Sequence, residues 1–236
     1  MFNTLQLNNG SGEFSDIANI AGIAKTDWSW AGLLADLDND GFKDIIISNG
    51  VKKDVRNNDF LSGLYEKLKT DSQDFYNMSK LAPSNPLPNY IYKNKNEYEF
   101  ENVTKKWGFD IPSFSHGLSY ADLDNDGDLD LVVNGANSGR TSKVYHNTNS
   151  ILANVQNLTE LDYSSLNLFD YDLDGKIDIS QFGKNGDVFS WAFKIYNNSF
   201  IEQNSITGQT YGSINSLKLN DKNYILSTGT QNDAAS

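Results

Sequence analysis

Nine residues, Asp122-Leu-Asp124-Asn-Asp126-Gly127-Asp128-Leu-Asp130, constrain this chain more than any other stretch. Carboxylates at positions 1, 3, 5 and 9 of one short loop repel one another too strongly to fold together without a cation. Glycine at position 6 permits the sharp backbone turn that wraps them. The apolar run Leu131-Val132-Val133 follows at once, so the loop feeds a buried strand. The pattern recurs as Asp36-Leu-Asp38-Asn-Asp40-Gly41-Phe42-Lys-Asp44 and as Asp170-Tyr-Asp172-Leu-Asp174-Gly175-Lys176-Ile-Asp178. Three copies make a repeat.

The chemistry expected of each loop is that of a Ca²⁺ site, about three ions in all, because an all-oxygen donor set suits a hard cation. Side-chain oxygens would come from Asp36, Asp38, Asp40 and Asp44, from Asp122, Asp124, Asp126 and Asp130, and from Asp170, Asp172, Asp174 and Asp178. The backbone carbonyls of Phe42, Asp128 and Lys176 at position 7, with water, would complete the oxygen shell. Leu173 stands at position 4, where the other loops have Asn39 and Asn125; this position supplies no side-chain ligand. An EF-hand is excluded for the first two loops, whose twelfth positions are Ile47 and Val133 rather than an oxygen donor. The third loop runs on to Gln181 and has an EF-hand or dockerin-like alternative, which the strand-like alternation of Ser165-Leu-Asn-Leu-Phe169 opposes. Four protein carboxylates leave little room for a substrate, so the metal is expected to be structural rather than catalytic.

Spacing gives the unit. Asp36 and Asp122 stand 86 residues apart, Asp122 and Asp170 only 48, so something is inserted in the first unit. Residues 58–82 supply it: Phe60, Leu61, Leu64, Leu68, Phe75, Met78 and Leu81 fall at helical spacing, Asn58 or Asp59 would cap the start, and Pro83, Pro86 and Pro88 end it. Such an insert is either a partner platform or a cover for a blade rim. A second recurrence is independent of the aspartates: Ile91-Tyr92-Lys-Asn94, Val144-Tyr145-His-Asn147 and Ile195-Tyr196-Asn-Asn198, with Leu5-Gln-Leu7-Asn8 as a weaker fourth copy. Each unit therefore reads as strand, loop, strand, turn, strand, turn, strand, in about 45–50 residues, the size of a propeller blade.

The expected fold class is all-β, a β-propeller of four-stranded antiparallel blades, about four units, with a short helical insert. The expected division is 1–27 (last two strands of a blade), 28–106 (blade with the insert), 107–158 (blade), 159–208 (blade) and 209–236 (first two strands of a blade). The terminal halves together would make one whole blade. Alternatively, the abrupt start in strand indicates a piece of something longer.

Composition narrows the partners. With 38% hydrophobic and 12% aromatic residues the chain can build a core, and a formal charge of −12 denies nucleic acid the basic face it needs. Twelve of the 31 acidic residues are loop ligands, so three calcium ions would bring the formal charge to about −6. The absence of cysteine excludes disulfides, zinc–thiolate sites and a cysteine nucleophile. No apolar run is long enough to insert in a membrane and no signal peptide is visible, while loops of this kind fill readily where calcium is plentiful, outside the cell. His116 and His146 are expected in surface or packing roles, Trp28, Trp30, Trp107 and Trp191 in the core between blades in preference to a sugar-stacking surface, and Lys52-Lys53 with Arg56 on a solvated face. No nucleophile-elbow, phosphate-loop or zinc-hydrolase motif occurs, so no catalytic residue is assigned.

Ser29-Trp-Ala-Gly-Leu-Leu-Ala-Asp36 through Ile47, and Tyr120-Ala-Asp122 through Val133, resemble FG-GAP/VCBS repeats of the integrin α-subunit propeller type, and more narrowly those of bacterial cartilage-acidic-protein-like exported proteins. Asn8-Asn-Gly-Ser-Gly-Glu-Phe14-Ser-Asp-Ile and Ala21-Gly-Ile resemble the segment that connects such repeats. The resemblance implies a Ca²⁺-stabilised propeller, usually seven-bladed, of which this chain would then be a fragment. It also implies a secreted or cell-surface protein that binds a protein or glycan ligand, with no catalytic activity. Two other functions remain open: a polysaccharide-active, lyase-like enzyme on a propeller scaffold, and a structural spacer in a larger exported protein. New unsaturated ends released from uronate polysaccharides would identify the first, and empty ligand arrays under saturating calcium the second.

Overall fold

The computed structural model describes residues 2–51, 53–68, 80–96, 98–135, 142–184, 191–196, 199–207, 210–220 and 222–230. The chain opens with a hairpin of β1 (Gln6–Asn8) and β2 (Phe14–Asp16). The first four-stranded sheet is an antiparallel meander of β3 (Ser29–Ala35), β4 (Asp44–Asn49), β6 (Tyr90–Asn94) and β7 (Phe100–Asn102), interrupted by helix α1 (Asn58–Leu68) and the short β5 (Leu87–Pro88). After β8 (Pro112–Ser113), the second sheet is β9 (Ser115–Ala121), β10 (Asp130–Gly135), β11 (Lys143–Thr148) and β12 (Ile151–Asn157). The third is β13 (Asp162–Phe169), β14 (Asp178–Lys184), β15 (Trp191–Tyr196) and β16 (Glu202–Thr207). A last hairpin joins β17 (Thr210–Leu219) to β18 (Lys222–Thr230). The all-β class, the four-stranded antiparallel blades and the one short helix among the described residues are those expected from the sequence.

The second strands of the first two sheets carry unbroken apolar runs because both of their faces are covered, while β14 interrupts its run with buried Ser180 and Gln181. Ile46 faces a core shared with Leu131, Val133 and Tyr145 of the second sheet, while Ile45 and Ile47 face the N-terminal segment through Ala18, Ala21 and Ile23. One sheet further on, Leu131 and Val133 look back and Val132 looks forward to Ile179 and Tyr196 of the third sheet. Each such side chain contributes on the order of 2 kcal/mol by leaving water, and only stacking of neighbouring sheets provides it. The connectors are built alike. Ala21 N–H donates to Ile17 O (2.8 Å) and Ile23 N–H to Ala18 O (3.0 Å), just as Trp107 N–H donates to Val103 O (2.8 Å) and Phe109 N–H to Thr104 O (2.9 Å). Each connector plugs the core with those residues.

Two expectations need correction in detail. Helix α1 is capped by Asn57, whose Oδ1 accepts from Phe60 N–H (3.0 Å), rather than by Asn58 or Asp59, because the chain is already helical at 58. The later part of the insert, including Phe75 and Met78, lies outside the described residues. Both ends of the insert are pinned: Val51 pairs with Asn85, and Leu87 and Pro88 pair with Ser113 and Pro112 at the entrance to the second sheet. Gly50, at φ +117°, makes that crossing possible, since a Cβ there would sit 2.2 Å from the Ser113 carbonyl oxygen. Finally, the blade expected from the two chain ends does not form among the described residues. β1 is registered only with β2 and β17 only with β18. The N-terminal segment instead packs on the first sheet through Leu5 and the connector residues Ala18, Ala21 and Ile23, with β1 and β2 largely exposed, and β17 lies against β13 and β14. Leu217, Leu219, Tyr224 and Leu226 are left exposed on the last hairpin.

Candidate metal centres

Each acidic nonapeptide is the turn of its sheet's first hairpin, between β3 and β4, β9 and β10, and β13 and β14. The local wiring repeats, except at position 3, where Asp124 and Asp172 accept from the position 5 N–H (3.2 Å each) while Asp38 Oδ1 is buried without a partner. The position 1 carboxylate accepts two backbone N–H groups: Asp36 from Asp40 (3.1 Å) and Gly41 (2.9 Å), Asp122 from Asp126 (3.1 Å) and Gly127 (3.1 Å), Asp170 from Asp174 (3.0 Å) and Gly175 (3.0 Å). The position 5 carboxylate accepts from position 7: Asp40 from Phe42 N–H (2.9 Å), Asp126 from Asp128 (2.8 Å), Asp174 from Lys176 (2.9 Å). Position 4 adopts the left-handed conformation in all three loops, with φ of 55° at Asn39, 61° at Asn125 and 64° at Leu173. Asparagine tolerates this conformation and leucine does not, so the substitution that leaves the donor set untouched still strains the third loop.

Position 9 differs from the rest. Asp44, Asp130 and Asp178 are 0%, 0% and 1% exposed. One oxygen of each closes the loop on the backbone of position 2, from Leu37 N–H (3.0 Å), Leu123 N–H (2.8 Å) and Tyr171 N–H (2.7 Å). The other oxygen of Asp44 and of Asp130 clasps the third strand, accepting from Asn94 N–H (2.9 Å) and Asn147 N–H (2.8 Å). Burial pushes all three carboxyls above the ordinary aspartate range, and these N–H donors pull them only part of the way back. Asp178 Oδ1 is buried without a hydrogen-bond partner.

Carboxylate oxygens converge to within 4.8 Å of one another in Asp36, Asp38 and Asp40, in Asp122, Asp124 and Asp126, and in Asp170, Asp172 and Asp178. Asp124 and Asp130 form a further group with His146. Three hard oxygens at that separation, with one buried oxygen unpaired, fit a divalent cation of the calcium class. Asp44 and Asp174 are not drawn into the groups of their own loops. Asp128 turns its side chain away from its own loop: its Oδ1 accepts from Asn39 Nδ2 of the first loop (2.7 Å) and its Oδ2 from Asn149 N–H (2.8 Å).

The residues that the acidic pattern does not reveal come from the third strands. Lys93 Nζ reaches into the first loop, in contact with Asp38 Oδ2 and 2.8 Å from Asp40 Oδ2. His146, expected in a surface or packing role, has Nδ1 3.2 Å from Asp124 Oδ2 while its ring lies against Phe200. Asn147 Nδ2 donates to Leu37 O (2.7 Å) and Leu129 O (3.1 Å), tying its own loop to the loop of the preceding sheet. Asn223 Nδ2 does the same for the third loop, donating to Asp170 O (2.5 Å) and Tyr171 O (3.0 Å). The recurring Tyr-x-Asn was the available signal, since both x residues described here face an acidic loop.

The tryptophans divide. Trp107 is core, as expected, but Trp30 is 52% exposed, edge-on to His116 at 5.1 Å, with Nε1 donating to Gly50 O (2.6 Å). Arg56 is exposed, as expected, and lies over the Trp28 ring at 3.7 Å, where the ring offers its guanidinium a cation–π partner. The side chain of Trp191, and Lys52, lie outside the described residues. A groove lined by Leu5, Ile23, Trp30, Leu34, Ile45 and Ile47 runs between the N-terminal segment and β3. Among the described residues no helix is long and apolar enough to cross a membrane.

No curated protein matches the sequence. The family model for the FG-GAP-like repeat matches residues 2–47 and again 75–133. Both matches end at the same point of the repeat, the close of the apolar run after an acidic loop, at Ile47 and Val133. Each takes in an outer hairpin, the folded connector and the next inner hairpin with its loop, which are the parts that superpose in wiring. Residues 2–47 and 75–133 are thus FG-GAP-like repeats of the FG-GAP/VCBS type, a repeat that implies blades of a propeller-like module.

Proposed function

We propose that this chain is a calcium-stabilised module that binds a protein or glycan ligand at or outside the cell surface, with the metal holding the blade hairpins in shape and taking no part in a reaction. The observation that carries the metal half is the third loop. Asp178 Oδ1 is buried and unpaired beside the carboxylates of Asp170 and Asp172, an arrangement costly for three anions and favourable around a divalent cation. A structural role follows from where the donors sit. All come from one hairpin turn, and position 9 is wired to backbone through both oxygens in the first two loops and through one in the third, so a bound ion would fix the hairpin and leave no reacting group beside it. The ligand half draws on the family's repeat type and on the exposed Trp30 beside an apolar groove, the kind of surface that stacks on sugars or receives a side chain.

Two measurements test the reading separately. Thermal unfolding in calcium and in chelator is expected to differ by about 10 °C or more, given three coupled sites; coincident curves would refute the metal. Glycan and protein arrays probed with the calcium-loaded chain are expected to give signals that Trp30→Ala abolishes. Arrays that stay empty at saturating calcium would refute the ligand and leave a spacer.

A further inference from the structure

The three loops share their wiring but not their surroundings. In the first sheet, β6 runs Tyr92-Lys93-Asn94: Tyr92 packs into the core, Asn94 clasps Asp44, and the residue between them is aimed at the loop. Its ammonium stands between the position 3 and position 5 carboxylates, Asp38 and Asp40, two of the three whose oxygens converge. In the second sheet the equivalent residue is His146, whose ring nitrogen faces the same position 3 carboxylate, Asp124. The sequence of the third unit has Asn197 between Tyr196 and Asn198. One register position thus carries a permanent cation in the first sheet and a weak base in the second. Lys43 and Lys176, which lie within loops, are both exposed. Among the ion pairs of the described residues, only that of Lys93 places an ammonium between two carboxylates of one loop.

We infer that Lys93 is a built-in counter-ion of the first loop, so that this loop is the weakest calcium site of the three and the residue between Tyr and Asn sets the affinity of the first two loops. The inference rests on the calcium reading above. A divalent ion entering the first loop would take Asp38 through Oδ1, which is buried without a partner, while Oδ2 of the same carboxylate holds the ammonium. The two positive centres would then share one carboxylate at a few ångströms, where their repulsion is strong. Displacing the ammonium instead forfeits two charge-assisted hydrogen bonds, and its tether keeps it at high effective concentration. The first loop is thereby held folded with or without metal, which suits the sheet that also carries the insert.

The position 6 amides of Gly41, Gly127 and Gly175 report the loops one by one, since each donates to the position 1 carboxylate of its own loop. Their ¹H–¹⁵N resonances are followed while the whole chain is titrated with calcium chloride. Gly41 is expected to respond at about tenfold or more higher calcium than Gly127 and Gly175. Lys93→Gln should remove that lag without moving the other two, and His146→Lys should impose a similar lag on Gly127 alone. A Gly41 response that coincides with the others in the native chain, or is unmoved by Lys93→Gln, overturns the role of Lys93 while leaving calcium binding in place. No response at any of the three glycines overturns the calcium reading itself, and the inference with it. Should Lys93→Gln fold poorly, His146→Lys still decides, because a side chain of purely structural importance in the second sheet would not shift Gly127 selectively.

Discussion

The clasp at position 9 makes a prediction that separates folding from metal binding. Replacing Asp130 by alanine removes the acceptor of two buried N–H groups, Leu123 and Asn147, each bonded at 2.8 Å, from a site with no exposure. A buried donor left without a partner costs about 1–3 kcal/mol, and a hydrogen bond to a charged acceptor is worth a similar amount. Against this, burial already opposes ionisation of Asp130, so losing its charge returns part of the cost. A net destabilisation of about 3 kcal/mol is expected, which for a domain of this size lowers Tm by about 6–12 °C. Asp126→Ala, in contrast, removes an exposed acceptor for Asp128 N–H that water can replace, so it should cost about 0.5–1 kcal/mol without metal. In calcium each substitution also deletes a candidate ligand, and both variants should fall well below the native chain. The assay is thermal unfolding of the two variants in chelator and in calcium. If Asp130→Ala and Asp126→Ala melt together in chelator, the buried carboxylate is not a structural clasp and the reasoning fails.

Leu173→Asn should raise Tm by about 2–4 °C, since it relieves about 1 kcal/mol of left-handed strain at φ 64° while leaving the donor set unchanged; an unchanged melt would show that the strain is absent. Gly50→Ala should destabilise by about 3 kcal/mol or more, or abolish folding, because its φ is +117° and a Cβ would meet the Ser113 carbonyl; a native-like melt would mean the crossing is not as described. The raised carboxyls of Asp44, Asp130 and Asp178 bind protons more readily in the folded than in the unfolded chain. In chelator their contribution to stability is therefore fullest below the ordinary aspartate range and is lost as pH rises through the raised values, whereas calcium needs the ionised forms. The calcium-dependent gain in Tm should shrink as pH falls from about 7 to about 4, and a gain independent of pH would contradict this assignment of the three groups.

Sequence and structure agree most closely where one residue type has one physical use. Alternating carboxylates with glycine at position 6 can serve little but a tight acidic turn, and an unbroken Ile45-Ile46-Ile47 next to it can only be a strand covered on both faces, so loops and blades were legible from the residues alone. Asparagine and lysine have many uses, and there the sequence runs out. Asn94 and Asn147 were visible as a recurrence, but that they clasp Asp44 and Asp130 depends on the third strand lying beside the second, a tertiary fact. Lys93 and His146 are ordinary polar residues until register aims them at Asp38 and Asp124. Position 4 is a different failure. Its lack of ligand oxygen disguised a backbone role that only the positive φ reveals. The helix cap shifted by one residue for a local reason, since Asn57, Asn58 and Asp59 are all competent caps and the hydrogen bond of Phe60 chose among them.

The loops are also less separate than three copies of a motif imply. Asn147 gives its backbone N–H to Asp130 in its own blade and its side-chain amide to Leu37 O in the loop before it, while Asn39 of that earlier loop reaches forward to Asp128. Two hydrogen bonds thus cross the blade boundary in opposite directions, above the apolar core that Leu131 and Ile46 share. In a repeat architecture the interface between neighbours carries much of the stability, and apolar packing alone would let adjacent sheets slide with little specificity. Directional polar contacts at the rim fix the register of one blade on the next, and they do so only while both loops keep their shape. An ion that stiffens one acidic turn therefore also stiffens the acceptor that its neighbour's asparagine needs. This gives a physical reason for acidic loops to recur in every full blade of this chain when a single metal would have sufficed to hold a single hairpin.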